Sequence, residues 1–500
     1  MEHGKLITNR YRIINKLGQG GMGVVWRVYD RLEHREVALK QVLIPDKDLD
    51  FASKVRTDDT DKLRLSLAHE FSILATLRHP HILSVLDFGF DEDKHPFYTM
   101  TLLEGGTDCK TYGINLSRER RIVLMGQMLQ AMHYLHRRGV LHRDLKPDNV
   151  FVTKDEQVKV MDFGLAKQDK AQSTKKDTIS GTINYMAPEL FQGKKASVAS
   201  DLFAIGVMVY EIMVGQHPFA ADNVGQIINK ITTHIPDFSA IPDDFVPWLQ
   251  TILEKDPADR FATAYDAMIA FYDAVGVNRP AESQTIRESF LQASTFVGRS
   301  NQLDTLRQAL DEAQNGHGSV WLIGGESGVG KSRLMEELRI YAMVAGALVL
   351  RGSAVEEGGL PLQIWRGVAR GLAISVDGIT DNEAGVLKQI VPDIDDFLGY
   401  PVHVAPPLIG GAAMLRLRQT MMQLVERHTQ TVVLLLDDLQ WVSDFESWLE
   451  RIAELVPKQR LLMIGSYRSD EHPHFAEGIK AVQRMPLPRL QREDIRRLSE

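Results

Sequence analysis

The eight residues HRDLKPDN at 142–149 set a carboxylate, a lysine and an amide side chain at Asp144, Lys146 and Asn149. That spacing suits a site that holds a metal-bound phosphate beside a hydroxyl. Companion stretches stand in order around it: GQGGMGVV at 18–25 and VALK at 37–40 before, DFG at 162–164 and APE at 187–189 after. Any one of them arises easily by chance; five in register over about 170 residues do not. Beyond them lies GESGVGKS at 325–332, a phosphate-binding loop of a different kind. The chain thus carries two separate nucleotide patterns.

A length of 500 residues exceeds what one hydrophobic core serves and predicts several domains. The net charge of −8 argues against a broad nucleic-acid-binding surface. Cys109 is the only cysteine, so no intrachain disulfide can form, which fits a reducing compartment. The opening MEHGKLITNRYRI lacks the apolar core of a signal peptide, and no apolar run reaches the about 18 residues of a membrane span. The expectation is a soluble, cytoplasmic protein. Among the histidines there is no HExxH and no cysteine cluster joins them, so no structural zinc site is expected; His133 and His136 read as packing or surface residues.

Short alternating segments rich in β-branched and aromatic residues, YRIINKLG, GVVWRVYD and EVALKQVLI, predict strands between about 11 and 44. An acidic loop over 46–61 leads to a helix over about 62–78, and after a hinge near 100–108 the pattern turns mainly helical, with 117–138 and SDLFAIGVMVYEIMVG at 200–215 the clearest cases. Polar, aperiodic residues over 276–293 mark a linker. From there helices alternate with the buried strands SVWLIGG, ALVLRG, TVVLLLDD and RLLMIGSYR, which predicts a parallel sheet. The boundaries are 11–275, a linker at 276–293, and 294–500, whose closing helical pattern stops midway and suggests a longer natural chain.

Phosphoryl transfer needs a cover for the phosphates, metal ligands, a positioned hydroxyl and charge neutralisation. Gly18, Gly20 and Gly23 allow close approach of backbone N–H groups to phosphates, and Val25 would cover the adenine. A strand rather than a helix follows this GxGxxG, which disfavours a dinucleotide fold. Lys40 is placed for the α and β phosphates. Its partner is Glu70, the only acidic residue between Lys62 and Arg78. Asp144 would orient the substrate hydroxyl, Lys146 contact the γ-phosphate, and Asn149 and Asp162 bind magnesium.

On these motifs, residues 11–275 resemble a bacterial serine/threonine kinase of the eukaryotic-like (Hanks) type. The resemblance implies an α+β bilobal fold, ATP and Mg2+ as cofactors, and protein serines or threonines as substrates. It also implies that Asp201 anchors the catalytic loop, that Glu189 pairs with Arg260, and that Thr182 contacts Asp144 and Lys146. Arg143 before the catalytic aspartate implies activation-loop phosphorylation, with Thr178 first and Thr174 second, ahead of Ser173 and Ser180. Three departures stand out: Thr101 replaces an acidic hinge residue, Met22 replaces an aromatic in the glycine loop, and 46–61 is an insertion. None removes a catalytic group.

In the second pattern, Gly325, Gly330, Lys331 and Ser332 follow a strand and open a helix, the context of a P-loop in which Lys331 neutralises phosphate charge and Ser332 ligates magnesium. TVVLLLDD supplies Asp437 for the metal and Asp438 for a water, and RLLMIGSYR ends in Arg468, placed to sense the γ-phosphate. FVGR at 296–299, GESGVGKSRL, LDDLQW at 436–441 and SYRSDE at 466–471 make 294–500 similar to the AAA-related STAND ATPases. That resemblance implies an α/β P-loop NTPase fold that switches and self-associates with its nucleotide.

The expectation is a protein serine/threonine kinase coupled to an ATP-dependent switch domain, without membrane or nucleic-acid partners in this segment. A second reading stays open: a scaffold or transcription regulator whose output is nucleotide-driven assembly and whose kinase mainly modifies itself.

Overall fold

A computed structural model of the chain describes residues 4–20, 23–42, 71, 73–163, 183–280, 286, 298–354, 362–406, 411–442, 445–475 and 477–494. Glu70, Thr182, the activation-loop hydroxyls at 173, 174, 178 and 180, Met22 and the 46–61 insertion lie outside them. The chain divides into two compact units, one formed by Met1–Ala75, Leu86–Met100 and Phe296–Glu500, the other by Thr76–Val85 and Thr101–Thr295.

The first unit opens with a sheet of β1 (Leu6–Ile7), β2 (Tyr11–Gly20), β3 (Gly23–Asp30), β4 (Arg35–Val42), β5 (Val85–Phe90) and β6 (Pro96–Thr101), in the order β1-β2-β3-β4-β6-β5. Alternation decides which face is buried. Tyr11, Ile13, Val28, Val37, Leu39 and Phe97 form one apolar cluster, with Tyr11 and Phe97 edge to face at 5.7 Å. Arg10 ties three segments together by donating to Asp30 (2.8 and 2.9 Å) and Asp87 (2.5 Å).

In the second unit, a small antiparallel sheet of β7 (Thr107–Asp108), β8 (Val150–Val152) and β9 (Val158–Val160) interrupts the helices. Its strands are too short to show a period, so the sequence reading passed over them. The helices Arg118–Arg137 and Val198–Val214 match the expected segments closely. The second starts at Ser197, whose hydroxyl accepts from the Ser200 N–H in a capping box, and stops at Gly215, which takes φ +82°. Residues 200–212 of it are buried all round, which marks it as the central helix of this unit.

The rest of the first unit is a wholly parallel sheet of β10 (Ser319–Gly325), β11 (Leu348–Ser353), β12 (Val432–Asp437), β13 (Leu461–Arg468) and β14 (Val482–Pro486), ordered β11-β12-β13-β10-β14. Helices Ser300–Gln314 and Lys331–Val344 pack with Ile323, Val433, Leu435, Leu462 and Ile464 on one face. A block of helices inserted between β11 and β12 (Gln363–Ser375, Asp381–Leu387, Ile394–Leu398 and Gly411–Arg427) contributes to the second core, on the other face. The motif strands fall where the sequence placed them; the inserted helices and β14 are additions.

Candidate functional site

In the first unit the GQGGMG segment joins β2 to β3, with Gly18 opposite Val25 and Gly20 opposite Gly23. Gly23 has to be glycine. Its φ is +146°, and a Cβ there would lie 2.0 Å from the Gln41 carbonyl oxygen of β4. Lys40 on β4 pairs with Val25 on β3, so both side chains project from one face of the sheet.

The catalytic loop, in the second unit, is held from below. Asp201 on the central helix accepts from the backbone N–H of His142 (2.9 Å) and of Arg143 (3.0 Å), and the His136 ring lies 3.0 Å from the same carboxylate. His136, expected to be a packing or surface residue, is therefore part of the anchor; its spacing from the loop carries no sign of a partner 65 residues away. Arg143 takes φ +65°, a strained conformation for a residue with a Cβ, and these bonds hold it in place.

The loop's functional groups converge. Asn149 Nδ2 donates to the Asp144 carbonyl (2.7 Å) and reaches its carboxylate (3.3 Å), and Lys146 Nζ lies 3.6 Å from that carboxylate. Because the Asn149 amide nitrogen is committed to Asp144, its oxygen, a hard ligand, is left for a cation. His142 joins this loop to the strand before DFG. Its Nδ1 accepts from the Asp144 N–H (3.3 Å), which leaves Nε2–H to donate to the Met161 carbonyl (3.0 Å). Burial lowers the His142 pKa and keeps that ring neutral, although the Asp201 charge opposes the shift. Its face meets the Phe163 ring at 4.8 Å, and Met161 N–H bonds the Asn149 carbonyl at 2.9 Å, so Asp162, at φ +55°, is fixed on both sides.

Glu189 and Arg260 form the expected ion pair, bidentate at 2.9 and 3.0 Å and fully buried. Ser200 donates to the carboxylate at 2.8 Å, and Arg260 donates to the carbonyls of Ala199, Glu254 and Lys255, so the buried charges are surrounded by partners. Thr101 donates its N–H to the Ser84 carbonyl at 3.2 Å and its side chain is exposed.

The P-loop turns from β10 into the helix Lys331–Val344, with Gly330 at φ +100°. Lys331 Nζ donates to the carbonyls of Gly325 (2.7 Å) and Glu326 (2.8 Å), and its burial lowers its pKa. Ser332 Oγ lies 3.1 Å from Asp437, so a hydroxyl and a carboxylate, both hard oxygen donors, meet at the helix N-terminus. That donor set fits magnesium beside a phosphate.

Strand β13 lies between the P-loop strand and the strand of Asp437, and its Ser466 has no role in the sequence reading. Ser466, fully buried, donates to Asp437 and accepts from the Asp438 N–H at 3.2 Å. Gln440 bridges Asp438, to which it donates at 3.0 Å, and the Arg468 backbone N–H, from which it accepts at 3.2 Å. Arg468 stacks over Trp441 at 4.8 Å, with Asp438 at 3.8 Å and Glu471 at 2.6 Å, and so reaches the nucleotide end of the sheet. Arg299, of the FVGR motif, is buried and donates to the P-loop carbonyl of Val329 at 3.3 Å and to that of Pro488 after β14. Arg468 was assigned from the sequence; Ser466, Gln440, Trp441 and Arg299 lay inside the quoted motifs but were given no role there.

Comparison with known proteins agrees with this arrangement. The protein kinase domain family matches residues 11–270 and the AAA ATPase domain family residues 295–464. The chain is 31% identical over 292 residues to a probable serine/threonine-protein kinase, PknB, of Lactococcus lactis, covering 57% of this chain and 45% of that one. It is 31% identical over 290 residues to the serine/threonine-protein kinase PknD of Mycobacterium tuberculosis, covering 55% and 41%. It is 33% identical over 300 residues to PknA of the same species, covering 56% and 65%. The matches thus span less than two thirds of these relatives' own length. With a kinase match over more than half of its residues, the chain belongs to the protein kinase family, and an AAA ATPase domain follows in the same polypeptide.

Proposed function

We propose that this chain is an ATP- and magnesium-dependent protein serine/threonine kinase, acting in the cytoplasm, whose output is set by the nucleotide state of its STAND-type ATPase domain. The observation that carries the kinase reading is the convergence of Asp144, Lys146 and Asn149 on a loop pinned by Asp201. Asp144 orients the substrate hydroxyl and takes its proton, Lys146 neutralises the γ-phosphate, and Asn149 with Asp162 holds the metal. Gly18, Gly20, Gly23 and Val25 cover the nucleotide, and Lys40, positioned by Glu70, holds its α and β phosphates. Thr182 steadies Asp144 and Lys146.

In the ATPase domain, Gly325, Gly330 and Lys331 cradle the phosphates of a second ATP, Ser332 and Asp437 hold its metal, Asp438 positions water and Arg468 reads the γ-phosphate. The meeting of Ser332 and Asp437 supports this assignment. Self-association through this domain is the route by which it would act on kinase output.

The test is incubation of wild type, Asp144→Asn and Lys331→Ala with γ-labelled ATP, magnesium and a generic protein substrate. We expect label on protein in the wild type, a loss of about 100-fold or more in Asp144→Asn, and an altered rate in Lys331→Ala. An unlabelled wild type overturns the kinase reading, and an unchanged Lys331→Ala overturns the coupling.

A further inference from the structure

The first unit joins the N-terminal antiparallel sheet to the ATPase sheet, and the groups that meet there come from two turns and one strand. Asn9, in the β1–β2 turn, donates its side-chain amide to Asp377 Oδ1 at 3.1 Å. His34, in the β3–β4 turn, sits 3.1 Å from Asp393 Oδ2. Between them Arg31 donates to two carbonyls, that of Asn9 in its own sheet and that of Phe397 in the inserted helix Ile394–Leu398. The Phe397 carbonyl lies in the last turn of that helix, where carbonyls lack intrahelical donors, so a guanidinium from outside satisfies one. Leu32, at the tip of the β3–β4 turn, packs against the large apolar core of the ATPase.

The acid–base side-chain contact between turn and helices is that of His34 with Asp393. Asp393 and Asp395 already take Arg370 and Lys388 on their own side, and the turn RLEHR at 31–35 carries Glu33 among its basic residues, so the carbonyl bonds of Arg31 and the packing of Leu32 carry the seam. A further contact comes from the helix that begins at the P-loop. Arg339 on it, nearly buried and paired with Glu336 at 2.7 and 2.9 Å, reaches the Leu86 carbonyl of β5 at 3.4 Å. Each side of this seam is connected to a nucleotide pattern. The β3–β4 turn joins the strands that carry Val25 and Lys40. The inserted helices leave the sheet after β11, whose Ser353 pairs in register with Asp437.

We propose that the helices inserted between β11 and β12 are a docking surface for the chain's own N-terminal kinase sheet, which they grip by the β3–β4 turn. The partner is intramolecular and recognised by chemistry: a turn whose arginine meets a helix-end carbonyl, whose leucine packs on the ATPase core and whose histidine lies beside Asp393. Through this seam a change at the P-loop end of the ATPase reaches the hairpin bearing Lys40. The role assigned to the seam rests on the function proposed above; its existence does not.

The sole native cysteine makes a clean test available. Cys109 is fully buried, and burial pushes its thiol pKa up, so it reacts poorly. Two full-length double variants, Asn9→Cys/Asp377→Cys and His34→Cys/Asp393→Cys, are treated with a short bismaleimide, and the linked peptides are quantified. The same pairs are then made in a Leu32→Asp background, which charges the anchor in a surface turn and leaves the sheet core intact. We expect efficient linkage in both pairs and a drop of about tenfold on Leu32→Asp, to the level set by tethering alone. Linkage that is absent in both pairs, or equal with and without Leu32→Asp, overturns the docking. Failure of the functional reading shows separately, as an efficiently linked chain that transfers no label.

Discussion

Asp201 illustrates how a single side chain governs a loop that it does not belong to. Its two oxygens serve the N–H groups of His142 and Arg143 and the ring of His136. Asp201→Asn turns an amide N–H2 toward those donors, leaving at least one buried group unpaired at a cost of about 1–3 kcal/mol. We expect a matching loss in urea unfolding and a fall in kcat with little change in the KM for ATP. A loss of stability with kcat intact would reduce Asp201 to a packing role. A second residue-scale effect concerns acid. Burial holds His79 down to about 3 and His81 down to about 4, and the two rings meet at 5.4 Å. Unfolded histidine takes its proton near about 6.5, so between about pH 6.5 and 4 the unfolded chain binds more protons than the folded one. Stability therefore falls as the pH is lowered through that window, by about 1.4 kcal/mol per pH unit for each ring, and these rings add no slope above it. Urea midpoints at pH 7 and 5 should converge more in His79→Phe than in the wild type; an equal acid loss in both would refute the assignment.

Among elements, the central helix Val198–Val214 does most to organise the second unit. It offers Asp201 to the catalytic loop and Ser200 to Glu189, both from its first turn. The Glu189–Arg260 pair is sequestered from water, so removing one partner leaves a buried charge uncompensated. Arg260→Met should destabilise the unit by about 3–5 kcal/mol. The double variant Glu189→Leu/Arg260→Met should recover a large part of that loss, because two buried charges vanish together. Chemical denaturation of the three chains decides this, and a double variant worse than the single one would overturn the account. The helix was legible in the sequence as the mainly apolar run at 200–215, while its Ser197 cap was not. The pair was implied by the kinase resemblance, while the carbonyls around Arg260 were not.

On the scale of the whole molecule, two nucleotide patterns should give two separable ligand responses. A non-hydrolysable ATP analogue with magnesium at 100 times its Kd stabilises whatever it binds by about 2.7 kcal/mol. In calorimetry of the full chain we expect Lys331→Ala to erase the part of the shift due to the P-loop and Lys40→Met to erase the other. A shift untouched by Lys331→Ala would mean that the P-loop holds no nucleotide. Among the described residues no helix is long and apolar enough to cross a membrane.

Short-range order was written in the chain itself. HRDLKPDN, GESGVGKS and the strands VWLIGG and VVLLLDD declare their chemistry because covalent spacing alone sets which groups share a turn or a strand end. From those spacings came the two nucleotide patterns, the kinase motifs and the parallel sheet. The strand order was decided only in three dimensions: β13 enters between β10 and β12 and brings Ser466 to Asp437, 29 positions away. His136 became an anchor, and the inserted helices met the β3–β4 turn, by the same route. Such contacts join residues tens to hundreds of positions apart, and no local period records them; burial of apolar faces selects the packing, and the polar groups then pair with whatever that packing brings near.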